Sequence, residues 1–461
     1  MAAGTGPCDI YASGGTPCVA AHSTVRALFG SYGGNLYQVR RSSDNTTRDI
    51  GVLAAGGTAN AAAQDSFCAG TSCVITVLYD QSGHGNDLWY QGSSVVPGSS
   101  QSRPATATSE SLTIGGSKAY SLFINPSNSY WRDGHLSGIP TGSAPEGMYM
   151  VTSGTHVNGG CCFDYGNSET TRTADGPGAM DSINFSTQCW FGGCTGTGPW
   201  VQGDLEFGLY SGGSQTWNQN QRAFPSRFVT ATLKNNGTSR FAMKGSNAQS
   251  GNLFTLWDGS LPPGYSPMRK QGAIILGSGG DCCKPGGGAN LSAGTFYEGA
   301  MVSGFPSDAT ENAVQANIIA AGYGSGGGSG TTGALRAVGA GRCLDVPGST
   351  TAQGTQVQIW DCHGGTNQTW TRTTSGALTV YSGGNLRCLD ASGQGRTNGT
   401  PAIIWACNGQ VNQQWTVNAN GTITGVQSGL CLDVAGLGTA NGTKVQLWTC
   451  TGASNQQWTL G

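Results

Sequence analysis

Cys343-Leu-Asp345 recurs as Cys388-Leu-Asp390 and again as Cys431-Leu-Asp433. Fifteen residues after each aspartate stands a tryptophan, Trp360, Trp405 and Trp448. Seven further on comes an Asn-Gln pair, headed by Asn367, Asn412 and Asn455, and a Gln-x-Trp closes each copy at Trp370, Trp415 and Trp458. Each copy is too short to hide its own apolar face, so three must pack around one core. The repeat therefore occupies residues 334–461 as a unit of its own. Just upstream, the Gly/Ser-rich stretch 324–333 cannot bury a core and reads as a flexible tether. It separates the repeat from residues 1–323, a second unit.

Outward from the repeat, composition points the same way. Gly accounts for 78 of 461 residues, and charged residues for only 10%. Gly, Ser, Thr and Asn stand where Lys and Glu would cover helices, which favours strands and turns. The net charge of −2 leaves no basic excess to hold phosphates, so nucleic acid is not an expected partner. Nor does any apolar run approach the ~20 residues of a membrane-spanning helix. In residues 1–323 short apolar runs such as Cys73–Tyr79, Phe228–Leu233 and Gly272–Leu276 predict strands between Gly-rich turns. A single helix is expected at Asp308–Ala321, capped by Ser307/Asp308, with Ala313, Val314, Ile318 and Ile319 on its inner face. The fold class is all-β, a β-sandwich followed by the threefold unit.

The 16 cysteines are even in number and most fall in short-range pairs: Cys8 with Cys18, Cys68 with Cys73, Cys343 with Cys362, Cys388 with Cys407 and Cys431 with Cys450. Zinc would need CxxC pairs converging with His. There are five His and no CxxC, so disulfides are expected, and with them an oxidising, secreted location. Met1-Ala-Ala-Gly4 lacks the basic and apolar regions of a leader, which reads as a mature-form chain. The sequons Asn45-Thr-Thr and Asn236-Gly-Thr fit secretion. No metal, no cofactor and a monomer are expected.

Each repeat carries the two devices that grip a sugar: an aromatic face for the C–H side of the ring, and a carboxylate with amides for the hydroxyls. Asp345, Trp360 and Asn367 form one candidate site, Asp390, Trp405 and Asn412 a second, and Asp433, Trp448 and Asn455 a third. Gln358 and Gln446 complete the first and third. Ile403 stands at that place in the second, making it the weakest. Trp370, Trp415 and Trp458 are expected in the core.

Three segments of the first unit carry chemistry. In Gly198-Pro-Trp-Val-Gln-Gly-Asp-Leu-Glu206, Asp204 and Glu206 are two apart, which on a strand puts both on one face. In Leu276-Gly-Ser-Gly-Gly280-Asp281-Cys-Cys, an apolar strand runs into a loop with one acid, and Gly280 lets the backbone approach a ligand. Cys161-Cys162 either closes a strained vicinal ring or pairs with Cys189, Cys194, Cys282 or Cys283.

Residues 334–461 resemble a ricin-type β-trefoil, carbohydrate-binding module family 13. Residues 8–323 resemble the catalytic domain of α-L-arabinofuranosidases of glycoside hydrolase family 54. The resemblance is carried by Gly6-Pro-Cys-Asp-Ile-Tyr11, Val74–Leu88, Cys161-Cys-Phe-Asp-Tyr-Gly-Asn167, Gly272-Ala-Ile-Ile-Leu-Gly277 and Gly294-Thr-Phe-Tyr-Glu-Gly299. It implies a concanavalin-like sandwich and a retaining, exo-acting enzyme that removes terminal arabinofuranose from arabinan or arabinoxylan, with the trefoil anchoring it to plant cell-wall polysaccharide such as xylan. By the resemblance Glu206 is the nucleophile and Asp281 the general acid/base. Asp204, Gly280, Trp190 and a vicinal Cys161–Cys162 disulfide contact the sugar. The family usually has Asn after the nucleophile; here Phe207 takes that place at the sugar site. Cys189, Cys194, Cys282 and Cys283 are not part of the family pattern. A local Cys189–Cys194 bridge, leaving Cys282 with Cys283, stands beside cross-pairing between the two segments. A β-xylosidase, a galactofuranosidase or a non-catalytic lectin are the alternative functions.

Overall fold

The computed structural model describes residues 4–91, 103–277, 291–325, 332–373, 376–382, 385–408, 410–418 and 420–461. Gly280, Asp281, Cys282 and Cys283 lie outside the described residues, as does 326–331 of the tether. The chain divides into two compact units, Met1–Gly324 and Ser325–Gly461, each with its own apolar core. At the edges of the expected tether the chain is in strands, Tyr323–Ser325 and Thr332–Ala337. The latter pairs with the last strand, Trp458–Leu460, and with Thr369–Arg372.

The first unit is a sandwich of two antiparallel sheets. One runs in the order Cys18–Ser23, Gly294–Ser303, Glu146–Val157, Val229–Asn235, Phe241–Asn247, Ser250–Gly259. The other begins Leu209–Tyr210, Trp200–Asp204, Asp181–Ser186, Asp164–Ser168, Ala273–Gly277, Tyr130–Asp133, and continues through four more strands to Thr47–Gly51. Period two divides the second sheet into two faces. Tyr165, Ile183, Phe185, Val201 and Ile274 turn into the core between the sheets and are fully buried. Asp164, Asn184 and Gln202 lie opposite one another in register, with Ser182 opposite Asp204, so the other face is polar at its middle.

Buried charge joins the two sheets. Glu146 opens a strand of the first and Asp181 a strand of the second, and Lys270 lies 3.2 Å from Glu146 Oε1 and 3.9 Å from Asp181 Oδ2 with every side chain fully buried. Burial raises both carboxyls, most of all Glu146, while Lys270 pulls them down.

The expected helix runs Asp308–Ala320, with Ser307 Oγ accepting from the Thr310 amide at 3.1 Å. Its inner face differs from the sequence reading: Thr310, Glu311, Val314, Gln315 and Ile318 are buried, while Ala313 is exposed and Ile319 only half-buried. Glu311 can go inside because Lys234 and Lys244 hold it at 2.8 and 2.7 Å. Two further helices of seven residues, Pro7–Ser13 and Ala61–Phe67, are too short to show a period in sequence.

The second unit is a β-trefoil. Trp370, Trp415 and Trp458 are buried, and each indole donates to the equivalent carbonyl, Leu344, Leu389 and Leu432, at 2.9–3.0 Å. Gly348, Gly393 and Gly436 each take a left-handed turn at φ 60, 61 and 62° just after the repeated strand, where a Cβ would be strained. Each repeat holds one disulfide of identical span, Cys343–Cys362, Cys388–Cys407 and Cys431–Cys450. In the first unit Cys8–Cys18, Cys68–Cys73, Cys161–Cys162 and Cys189–Cys194 are bridged, so Cys161 and Cys162 pair with each other and Cys189 pairs locally.

Candidate active site

The strand that carries Asp204 ends there. Leu205 N donates to Gly208 O at 3.1 Å, and Asp204 pairs with Leu209. Glu206 and Phe207 are thus the two central residues of a tight hairpin, both with positive φ, 61 and 56°. That is the pattern of a type I′ turn, which normally uses Asn-Gly. The period-two argument that placed Asp204 and Glu206 on one face therefore does not apply. The turn brings them together instead: Glu206 N donates to Asp204 Oδ1 at 3.1 Å. Tyr265 Oη fixes the turn from behind by donating to Glu206 O at 2.8 Å.

Glu206 is half-buried at the rim of the polar face, and with Asp164, Glu169 and Asp204 it makes an array of four carboxyls. An Asp164 oxygen lies within 4.8 Å of an Asp204 oxygen, and the Glu206 carboxyl is close enough to Glu169 to act on it electrostatically. Burial, then the neighbouring carboxylate, raises Asp164, Glu169 and Asp204 above the ordinary carboxylate range. Like charges this close oppose one another's ionisation. Asn184 Nδ2 donates to Asp164 Oδ1 at 2.8 Å and Ser168 Oγ to Glu169 Oε2 at 3.1 Å.

The Cys161–Cys162 disulfide borders this array. Cys162 Sγ, an Asp164 oxygen and an Asp204 oxygen lie within 4.8 Å of one another. A bridged sulfur is a poor metal ligand, so this trio does not resemble a metal site. The turn before the disulfide is held by Asn158, which accepts from Gly160 N at 3.0 Å and Ala293 N at 2.9 Å, and donates to Leu291 O at 2.9 Å. On the far side, Gly277 ends its strand directly opposite Asp164. Gly277 and Leu291, the described residues that flank 278–290, are therefore held beside the array. Trp190, 46% exposed, sits in the loop closed by Cys189–Cys194, and Phe207, 57% exposed, on the hairpin tip.

Of the sequence-identified residues in this unit, Glu206, Asp204 and Cys162 come together. Sequence reasoning missed Asp164, Glu169 and Tyr265. Asp164 stood in the quoted Cys161–Asn167 segment, two residues from the disulfide. Nothing in the sequence marks Glu169 or Tyr265.

The trefoil repeats are built on one plan, with one difference in the second. Asp345, Asp390 and Asp433 are buried, and Trp360, Trp405 and Trp448 are 40–41% exposed. Asn367 donates to Asp345 Oδ2 at 2.7 Å, Asn412 to Asp390 Oδ2 at 2.9 Å and Asn455 to Asp433 Oδ2 at 2.7 Å. Gln358 and Gln446 donate to the other oxygen of their aspartates at 3.1 and 3.2 Å. Ile403 occupies that register position opposite Asp390, and burial with one donor fewer raises the Asp390 carboxyl. Gln368, Gln413 and Gln456, whose role the sequence did not reveal, also donate to the three aspartates at 2.9–3.0 Å. Around the first site an open pocket is lined by Asp345, Gly348, Ser349, Gln358, Trp360, His363 and Asn367.

The family model described as alpha-L-arabinofuranosidase B, catalytic, matches residues 7–324, and that of the ricin-type beta-trefoil lectin domain matches residues 331–458. Among curated proteins, the probable alpha-L-arabinofuranosidase B of Aspergillus terreus is 53% identical over 323 residues, covering 69% of this chain and 62% of that protein. The alpha-L-arabinofuranosidase of Hypocrea jecorina is 52% identical, covering 69% of this chain and 63% of that one. The chain thus matches less than two thirds of these relatives' length. A crystal structure of an arabinofuranosidase complexed with arabinofuranosyl-alpha-1,2-xylobiose superimposes with a TM-score of 0.66 at 35% identity, over 98% of both chains.

Proposed function

The chain belongs through residues 7–324 to the alpha-L-arabinofuranosidase B catalytic family, joined to a ricin-type β-trefoil, and from that premise we propose that it is a secreted, retaining glycoside hydrolase releasing terminal arabinofuranose from arabinan or arabinoxylan side chains. One observation carries the reading beyond family membership. The Glu206 carboxyl stands on a hairpin tip beside Asp204 and the Cys161–Cys162 disulfide, within a polar face bordered by Gly277 and Leu291.

In this reading Glu206 attacks the anomeric carbon while protonated Asp281 donates to the leaving oxygen, giving a covalent arabinosyl-enzyme. Water then attacks that intermediate, with Asp281 as base. Retention requires the two carboxyls about 5–5.5 Å apart. Asp204, already turned toward Glu206, accepts from sugar hydroxyls, and Trp190 and Phe207 supply apolar walls. The trefoil aspartates and tryptophans bind sugars of the same polymer, weakly one by one and strongly together. Seven disulfides among the described residues support an oxidising, extracellular location.

The test is hydrolysis of an aryl α-L-arabinofuranoside, with the anomer first released read by NMR. Retention is expected, with no turnover by Glu206→Gln. Asp281→Asn should lose most on substrates with poor leaving groups and recover partly with azide. Inversion, or wild-type rates in Glu206→Gln, would exclude the reading. An aryl β-xyloside belongs in the same panel. A relative from Trichoderma koningii, 52% identical, is named arabinofuranosidase/B-xylosidase, and Phe207 alters the sugar site.

A further inference from the structure

The three trefoil repeats differ at two places around their aspartates. The first place lies eighteen residues after the aspartate and holds His363, Asn408 and Thr451. All three do one structural job: each accepts the backbone N–H two residues on, from Gly365 at 3.2 Å, Gln410 at 2.9 Å and Ala453 at 3.3 Å. His363 does it with Nδ1. An amide N–H only donates, so Nδ1 is the acceptor and the neutral ring carries its proton on Nε2. That Nε2 lies 3.6 Å from Asp345 Oδ2, too far to be spent on it, and His363 lines the pocket of the first repeat with Asp345 and Trp360. Thr451 gives its one hydroxyl proton to Gln456 Oε1 at 3.2 Å, and the amide of Asn408 ends one bond short of an imidazole Nε2.

The second place is where neighbouring repeats meet. Gln358 lies opposite Lys444, Gln446 opposite Pro401, and Ile403 opposite Gln356. Lys444 Nζ donates to Gln358 Oε1 at 3.2 Å. An ammonium cannot accept, so the amide oxygen faces Lys444 and the amide nitrogen faces Asp345, where it donates to Oδ1 at 3.1 Å. Pro401 has no side-chain donor with which to set Gln446, and Ile403 has no amide to set. In Asp345, Oδ2 takes Asn367 and Gln368, while Oδ1 takes Gln358 and keeps a lone pair for a hydroxyl. At the rim, Ser349 follows the left-handed Gly348 of the first repeat where Leu437, 66% exposed, follows Gly436 in the third.

We propose that the first repeat is the principal sugar site of the trefoil: His363 Nε2–H and Asp345 Oδ1 bind two adjacent hydroxyls of a sugar stacked on Trp360, and Lys444, a positioning residue from the third repeat, holds Gln358 in the orientation this site needs. The inference rests on the sugar-binding reading of the trefoil and deepens it by ranking the three sites. A donor beside an acceptor reads a vicinal diol, and neither group calls for charge on the ligand. The ligand is therefore a neutral sugar with two adjacent hydroxyls, as the unsubstituted main-chain units of arabinoxylan present. Lys444 does not touch that sugar. It acts through Gln358.

The experiment measures binding of the full-length protein to insoluble arabinoxylan for W360A, W405A and W448A, and then for H363T and K444M. W360A should weaken binding more than either of the other two. H363T installs the residue of the third repeat, which keeps the acceptor of the turn and removes the N–H. It should lose roughly two- to tenfold, the worth of one hydrogen bond. K444M should lose about twofold in the wild-type and W448A backgrounds and nothing further in W360A, because it acts through the first site alone. A lysine that only supported the fold would weaken binding in every background. Damage by W405A or W448A equal to that by W360A, wild-type binding by H363T, or a K444M loss that persists in W360A would each overturn the proposal. If W360A does not fold, H363T still decides it, since wild-type binding by that variant overturns the proposal. The three tryptophan variants also separate the two levels. A loss in any of them supports sugar binding by the trefoil, and a wrong order among them then removes only the ranking. If none of the three weakens binding, the sugar-binding reading falls and the proposal with it.

Discussion

At the level of single residues, the hairpin tip departs furthest from ordinary chemistry. A left-handed backbone costs an ordinary side chain about 1–2 kcal/mol, and the Phe207 side chain can form no local hydrogen bond to offset it, though its backbone N donates to Glu206 Oε1 at 3.3 Å. Phe207 adopts φ 56° and leaves more than half its surface in water, so neither the backbone nor burial explains its presence. Strain of this kind is kept where it serves a ligand. Phe207→Asn should stabilise the protein by about 1 kcal/mol in urea denaturation, because Asn tolerates this conformation. It should also change kcat/KM on branched arabinoxylo-oligosaccharides more than on an aryl arabinofuranoside. Unchanged stability would mean that the turn does not carry the strain. Glu206 could be singled out from its Asp-x-Glu spacing, but the turn could not, since neither Glu nor Phe is a turn former. Ile403 was legible for the opposite reason: a threefold repeat supplies its own comparison, and the missing donor to Asp390 follows directly.

At the level of elements, the strands were readable because apolar runs between glycines persist over several residues. Cys73–Leu78, Val229–Asn235 and Ala273–Gly277 fall within a residue or two of their expected places. The helix face was misjudged because an ion pair, not hydrophobicity, put Glu311 inside. The same physics joins the two sheets through Glu146, Asp181 and Lys270. Lys270→Met would leave two buried acids without a cation, and breaking such a set costs about 3–5 kcal/mol. The sign with pH is definite. Carboxyls raised in the folded state make the native form bind more protons than the unfolded one. Their contribution is therefore full below the unfolded carboxylate pKa and is lost as pH rises through the folded value. The melting temperature of Lys270→Met should accordingly fall more steeply than that of the wild type as pH is raised from about 4. Parallel profiles would contradict the role given to Lys270.

At the level of the whole molecule, the chain forms two units with separate cores. Deleting residues 334–461 should leave kcat/KM on an aryl arabinofuranoside within about twofold, while retention on insoluble arabinoxylan falls by at least about tenfold, the gain expected from several weak sites on one polymer. Equal retention by the shortened chain would remove the anchoring role. The sequence by itself determined the trefoil, its three repeated Asp-Trp-Asn triads and the sandwich class, because these rest on periodicity and repeated spacing, which are written locally along the chain. It also marked Glu206, Asp204 and Cys161–Cys162, whose neighbours are close in sequence. Only the tertiary structure decided that Asp164 meets Asp204, that Glu206 stands on a turn, and that Lys270 lies between two sheets. Those contacts join residues tens of positions apart, and the protonation they enforce depends on burial, which no local pattern of residues specifies.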